Sequence, residues 1–418
     1  MEREKHGQTA RGMAKWTAHT AAPVIASPRL CGKTLIVADA GGSVYAFHAL
    51  TGEERWRRAD PVEDWREHGV PFSVTPAVWN EWLFVEAVGG LHILDLRSGE
   101  FVGELAHHGC PTVVGNLLLV HHVSGGVRAF GLPDLAPRWS RGWTGWLRAS
   151  PTVHEHELAY AVLGFEEQRT HGGLLAFDPS TGDEVFRRRD AVERCPLSEG
   201  AEDWLIFSSV PAVVGEGLVW LPRDRGHDEG HRRENDDPAP WNDLEIVGLD
   251  PRTGVERRCH RLHSAHELYA SGAIVVSDGT LYVGAALYEP PSRTEEPEES
   301  GALYAVDAAS GTVRWSRRFG GAIAAAPVAD GGTVYVASEQ GEISALASAT
   351  GRVLWNFEAG ARISHPHALF EREPTDSYDQ AGAAVVKGEE TLYVRTDLGV
   401  VAFQVPAGRD ETVERRGR

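Results

Sequence analysis

Histidines and carboxylates placed beside bulky aromatics are the residues of this chain that could do chemistry. Asp64-Trp65-Arg66-Glu67-His68 joins two carboxylates, an indole and an imidazole within five positions. His260-x-x-His263-x-x-His266 and His365-Pro366-His367 have spacings that could chelate, although neither matches an established motif such as His-Glu-x-x-His. Imidazole is the commonest metal ligand and the natural acid or base near neutral pH. The expected catalytic groups are therefore His68, His108, His365, His367, Asp64 and Glu67, with His263 and His266 as ligands of a divalent metal ion. Trp65, Trp143, Trp146, Trp204 and Trp241 are expected to line a substrate, with Arg148 as an anion clamp. No Ser/His/Asp nucleophile motif, phosphate loop or dinucleotide fingerprint is visible in the sequence.

Composition narrows the partners. The 418 residues carry 41 Lys+Arg against 60 Asp+Glu, a net charge of −19, which disfavours nucleic acid and anionic membrane surfaces. The charged start Met1-Glu2-Arg3-Glu4-Lys5-His6 lacks the apolar stretch of a secretory signal, and no run is long enough to span a bilayer. A cytoplasmic location is expected. Cys31, Cys110, Cys195 and Cys259 are far apart, which suggests neither a disulfide scaffold nor a thiolate zinc site.

The elements that must position these residues are announced by a repeat. An apolar strand with a small central residue is followed six positions later by a turn glycine. The phrase occurs as Tyr45-Ala46-Phe47 with Gly52, Ala176-Phe177-Asp178 with Gly182, Ala305-Val306-Asp307 with Gly311, and Ala345-Leu346 with Gly351. Taking the position six before the glycine as anchor gives 46, 93, 129, 176, 248, 305, 345 and 402, hence eight repeats. Ten residues past an anchor lie Trp56, Trp139, Trp315 and Trp355, with Phe186 as an aromatic substitute and Gly103, Arg258 and Thr412 as departures. Each tryptophan is expected to fill the same slot between repeats. β-Branched runs such as Thr34-Leu35-Ile36-Val37 and Thr333-Val334-Tyr335-Val336 precede the anchors and read as strands. Four strands per repeat, A to D, arranged radially make an all-β, eight-bladed propeller forming a single domain over 1–418.

Gly12 precedes Trp16 by the same four residues that separate Gly52 from Trp56. The N-terminus thus carries an orphan D strand expected to complete the eighth blade and close the ring, with Thr412-Val413 competing for that place. Together, Gly301-Ala302-Leu303-Tyr304-Ala305-Val306-Asp307 and Gly311-Thr312-Val313-Arg314-Trp315 resemble the tryptophan-docking repeats of the PQQ-like propeller superfamily. That superfamily includes quinoprotein dehydrogenases, outer-membrane assembly lipoproteins and kinase sensor domains, so the resemblance implies fold more than function. The dehydrogenases usually stack PQQ on an adjacent cysteine pair, which this sequence lacks, so PQQ is not expected. A lipidated cysteine and a kinase domain are likewise not seen.

In a propeller the A–B and C–D turns open on one face, the B–C and D–A connections on the other. Here the first set is short, including the turn His154-Glu155-His156, while the long segments 57–72, 187–207, 222–243, 259–269, 286–301 and 358–380 all belong to the second. Two of them, 222–243 and 286–301, read as charged loop insertions. Fourteen of the 19 histidines fall on this decorated face, more than its share of the chain. Loops on a rigid scaffold carry function. The expectation is a small-molecule enzyme of lyase, cyclase or hydrolase type at the mouth of the central channel. The alternative is a non-catalytic scaffold that holds a peptide or protein partner there.

Overall fold

The computed structural model describes residues 10–11, 14–59, 75–87, 89–122, 126–143, 146–147, 151–155, 157–164, 172–189, 204–207, 210–226, 243–264, 267–270, 272, 274–288, 299–323, 325–363 and 384–405, and structural statements refer to these. All their elements are strands, and no helix is long and apolar enough to cross a membrane. The strands form eight sheets spanning 29–59, 77–105, 110–142, 146–189, 204–263, 267–319, 328–358 and 385–404. These are blades 1 to 8. The last is completed by Ala14–His19, whose Trp16 pairs with Ala402. The N-terminal strand thus supplies the missing D strand and closes the ring. Ahead of it, Ala10–Arg11 pairs in parallel with the D strand of blade 7.

Seven of the eight anchor residues face the residue ten positions on, among them Ala46 with Trp56, Ala129 with Trp139, Ala176 with Phe186, Ala305 with Trp315 and Ala345 with Trp355. A register shift beside the anchor recurs in all eight blades. Such bulges increase local twist, which suits strands splayed around a ring.

The tryptophans dock between blades. The Trp56 indole donates to Leu96 O at 3.2 Å, Trp139 to Pro179 O at 3.1 Å and Trp315 to Ser348 O at 2.8 Å, each in the following blade. This explains the turn glycine twice over. Gly99 and Gly351 adopt φ of 73° and 66°, and a Cβ there would lie 2.5 and 2.6 Å from the docked rings of Trp56 and Trp315. In blade 5, where Arg258 occupies the expected place, the slot is filled by His260. Its Nε2 lies 3.0 Å from Ala308 O, and its ring stacks on Trp220 at 5.7 Å. Gly248 makes room, since a Cβ there would lie 2.8 Å from the Trp220 ring. His260, which the His-x-x-His spacing suggested as a chelator, is thus a docking residue.

One face is uniformly tight. A–B turns take two or three residues, as from Cys31 to Thr34, and C–D turns five or six, as from His48 to Glu54. The other face is uneven. The B strands of blades 5 and 6, Leu218–Gly226 and Thr280–Tyr288, are nine residues long, against five for Thr34–Ala38 and Thr333–Ala337. Four further residues at about 3.3 Å each raise these hairpins by roughly 13 Å. The ends of the supposed loop insertions 222–243 and 286–301 are therefore strand, because the hairpin ladder continues through Asp224↔Leu244 and Tyr288↔Glu299.

Candidate functional site

The decorated mouth has two unlike sides. On blades 4, 5 and 6 the A strand is split, and its first piece pairs with the raised part of the B strand. These pieces are Trp146–Leu147, Trp204–Phe207 and Glu267–Ala270. Each is a terminal strand of its sheet, so one main-chain edge carries no strand among the described residues. Their sequences, WL, WLIF and ELYA, are largely apolar or aromatic. Three adjacent blades thus form a wall with three short strand edges beside the channel.

A buried charge network braces the wall. Glu245, 1% exposed, accepts from Arg223 Nε at 2.8 Å and from Arg261 Nε at 3.0 Å. Arg223 also lies 3.4 Å from Glu256, which accepts from Arg188 of blade 4 at 2.8 Å. Such a pair holds only because its hydrogen bonds are nearly complete. The Cys259 thiol beside it is pushed upward, by burial first and by the charges of Glu245 and Glu256.

The low side, blades 8, 1, 2 and 3, is set apart by what occupies one strand position. Two residues past the B-strand partner of each anchor lie Ala38, Glu86, His121, Val162, Pro222, Gly284, Ala337 and Arg395. Five are uncharged and mostly small; Glu86, His121 and Arg395 are ionisable and buried. Glu86 accepts the Gly109 N–H at 2.9 Å, and desolvation raises its carboxyl to about 7 despite that bond. Burial drives the His121 imidazole down to about 3, so it is neutral near pH 7. The Arg395 guanidinium donates to Val24 O at 3.3 Å, and burial lowers it to about 10 against the opposing pull of Asp397 and Glu339. In blade 1, Asp39 accepts from Ala22 N, Gly41 N, Ser43 N and the Tyr45 hydroxyl. Arg395 and Asp39 therefore fasten the connection from blade 8 to blade 1, while Glu86 fastens that from blade 2 to blade 3.

Of the residues expected from sequence, His108 is exposed in the connection into blade 3, and His263 is exposed at the end of the blade 5 D strand. These lie on separate connections. Trp143 is half-buried with its ring 5.0 Å from Phe177, packed against the core between blades 3 and 4. Trp146 and Trp204 belong to the split A strands rather than to loops. Asp64, Trp65, Glu67, His68, Arg148, Trp241, His266, His365 and His367 lie outside the described residues. Among the described residues, no group of three or more His, Cys, Asp or Glu is placed to hold a metal ion. Cys31, Cys110 and Cys259 are on blades 1, 3 and 5. Glu86, Arg395 and Asp39 lie on or beside B strands, outside the loops that the sequence singles out. Their signal was a charge near the end of an apolar strand, two residues past the anchor's partner for Glu86 and Arg395 and three past it for Asp39.

The closed ring of docked four-stranded blades defines a β-propeller of PQQ-like repeats. A family model described as outer membrane protein assembly factor BamB matches residues 8–109 and 242–413, and the chain belongs to that family. Solved structures of similar fold include quinohemoprotein alcohol dehydrogenase from Comamonas testosteroni, with TM-score 0.62 and 14% identity over 95% of this chain and 77% of that one. BamB from Moraxella catarrhalis aligns with TM-score 0.55 and 13% identity over 93% and 100%. The computationally designed Ika8 protein aligns with TM-score 0.59 and 13% identity over 96% and 100%. Among curated proteins, the serine/threonine-protein kinase AfsK of Streptomyces griseus is 30% identical over 204 residues. That match covers 46% of this chain, which spans about a fifth of the kinase's length (20%).

Proposed function

We propose that this propeller is a recognition module that binds an extended peptide segment at its decorated mouth. The observation that carries the reading is the set of three adjacent terminal strands, Trp146–Leu147, Trp204–Phe207 and Glu267–Ala270, on the raised wall. An open strand edge offers main-chain hydrogen bonds to an extended ligand, and neighbouring apolar side chains give it selectivity. The buried ionisable groups of the opposite arc fix the connections facing the wall, so the mouth keeps its shape while the ligand seats. The kinase relative supports a sensing role, since a propeller matching part of a kinase suits the reception of a signal. Trp65 and Trp241, with Arg148, would extend the contact, and no step involves a quinone.

The test starts by panning a random dodecapeptide library against the protein. Ala285 and Ala302 are paired, so a two-residue Asp-Gly turn can replace 286–301 and remove the raised hairpin of blade 6. Selected peptides should bind this variant at least tenfold more weakly. Unchanged affinity would refute the reading.

Glu86 favours a second reading, an acid–base enzyme acting on a small molecule. A buried carboxyl near 7 exchanges protons efficiently at neutral pH. His68, His108, His365, His367, Asp64 and Glu67 would then be its partners, and His263 and His266 the ligands of a divalent ion. On this reading p-nitrophenyl acetate hydrolysis rises through a midpoint near pH 7 and is lost in Glu86→Gln. Equal rates in the two proteins would exclude Glu86 as the base.

A further inference from the structure

We infer that the seam between blades 2 and 3 is a proton-operated latch: Glu86 holds the connection 106–109 closed at the mouth while its carboxyl is protonated and lets it open when the carboxyl ionises. Its effect on ligand binding rests on the reading of the mouth as a peptide site; the latch itself does not. The connection sits in a close-fitting seat. A Cβ on Gly90 would lie 2.3 Å from Leu105 O, and one on Gly109 would lie 2.2 Å from His121 O. The two glycines take φ of 146° and 140°, so the chain passes between the blades with no slack. His107 N donates to Leu105 O at 2.6 Å, which turns the chain inward. The Gly109 N–H then donates to the Glu86 carboxyl at 2.9 Å, and Glu86 is only 8% exposed.

A carboxyl is not needed to fill this place, since the equivalent residues of blades 1, 4, 6 and 7 are Ala38, Val162, Gly284 and Ala337. Nor does it have a counter-charge. The titratable and charged groups of the surrounding elements are His92 and Glu104 on blade 2, His107 and His108 on the connection, and His121, His122 and Arg128 on blade 3. Among the described residues none of them bonds to Glu86, and only the Gly109 N–H opposes the upward push of burial on its carboxyl. Arg128 is turned to His107, reaching its Nδ1 at 2.8 Å. Burial and that guanidinium hold the His107 imidazole below its ordinary range, and burial does the same to His121, so neither brings a charge near pH 7. An ionised Glu86 is therefore a buried anion with one neutral donor, and water is its remaining relief. Because Glu86 is the last residue but one of its strand, Trp82–Ala87, release of the connection admits water without breaking the ladder of blade 2. Opening returns the carboxyl to its ordinary range, so it becomes easier as pH rises from about 4.5 to about 7 and no easier above that.

The test is amide hydrogen exchange of the ligand-free full chain at pH 5 and pH 8, corrected for intrinsic rates. The protection factor of the Gly109 amide should fall at least tenfold from pH 5 to pH 8 in the wild type. In Glu86→Gln, which cannot ionise, it should be the same at both values. Gly109→Ala, whose methyl collides with His121 O, should leave 106–108 weakly protected at either pH. Wild-type protection of Gly109 that does not change with pH would overturn the latch. So would an equal fall in Glu86→Gln, which would assign the change to the surrounding histidines, or firm protection of 106–108 in Gly109→Ala. Binding reads the regulation: the ratio of wild-type to Glu86→Gln affinity for a selected dodecapeptide should fall at least threefold from pH 5 to pH 8, because a loosened mouth is less preorganised. A constant ratio would overturn the regulatory role. If no peptide binds, the reading of the mouth fails, and the exchange measurement still decides the latch.

Discussion

Glu86 shows how one residue sets a pH dependence that the composition does not reveal. Its carboxyl titrates near 7 in the fold and near 4.5 when exposed, so the native state holds the proton more tightly. The stability this contributes is complete below about pH 4.5 and is lost as pH rises through 7. The ionised form costs about 3 kcal/mol at pH 8. Glu86→Gln keeps an oxygen for the Gly109 N–H and cannot ionise. It should be more stable than wild type at pH 8 by up to that amount, with the gap closing by pH 5, as measured by urea denaturation at both values. A gap independent of pH would show the carboxyl to be ionised throughout. His121 has the opposite sign: its stability is present above about 6.5 and is lost as pH falls toward 3. At this scale the sequence was least informative. The loop histidines stand out by number, whereas Glu86 and Arg395 stand in otherwise apolar phrases, Trp82-Leu83-Phe84-Val85-Glu86 and Thr391-Leu392-Tyr393-Val394-Arg395. Their importance emerges only when the blades are superposed on the anchor.

At the scale of elements, the docked ring and the turn glycine act as one unit. Trp315→Ala removes a half-buried indole and its bond to Ser348 O, and should cost about 2–3 kcal/mol. Gly351→Ala should cost about 1–3 kcal/mol by strain at positive φ and collision with the same ring. Because both act on one contact, the double variant should lose clearly less than the sum, a coupling that a double-mutant cycle measures. His260→Ala loses a stack on Trp220 and a bond to Ala308 O, and should cost about 2 kcal/mol in thermal or urea unfolding. The blades were legible because anchor, glycine and tryptophan keep fixed offsets that packing demands. The substitution in blade 5 was not, because His260 reaches the slot from two positions further along the strand. The raised strands were not legible because charged residues such as Arg223 and Asp224 continue the ladder beyond the apolar run.

At the scale of the molecule, closure depends on a few N-terminal residues. Deleting 1–13 leaves Ala14–His19 in blade 8 and removes only the Ala10–Arg11 pairing on blade 7. Deleting 1–19 removes the D strand with Trp16, whose indole donates to Ala49 O at 3.1 Å. The first deletion should unfold cooperatively within a few degrees of wild type by calorimetry. The second should lose the cooperative transition, since two sheet edges are opened and the slot between blades 8 and 1 is emptied. Closure was readable from the spacing of Gly12 and Trp16. The height difference around the mouth was not, because it depends on hairpin register. That asymmetry is the basis of the proposed recognition of a peptide, and hydrogen exchange with a selected dodecapeptide bound tests it most directly. The account predicts slowed exchange at 204–207 and 267–270 on the wall, with the C–D turns at 49–53, 178–183 and 308–312 unchanged. Protection confined to those turns, on the opposite face, would contradict it.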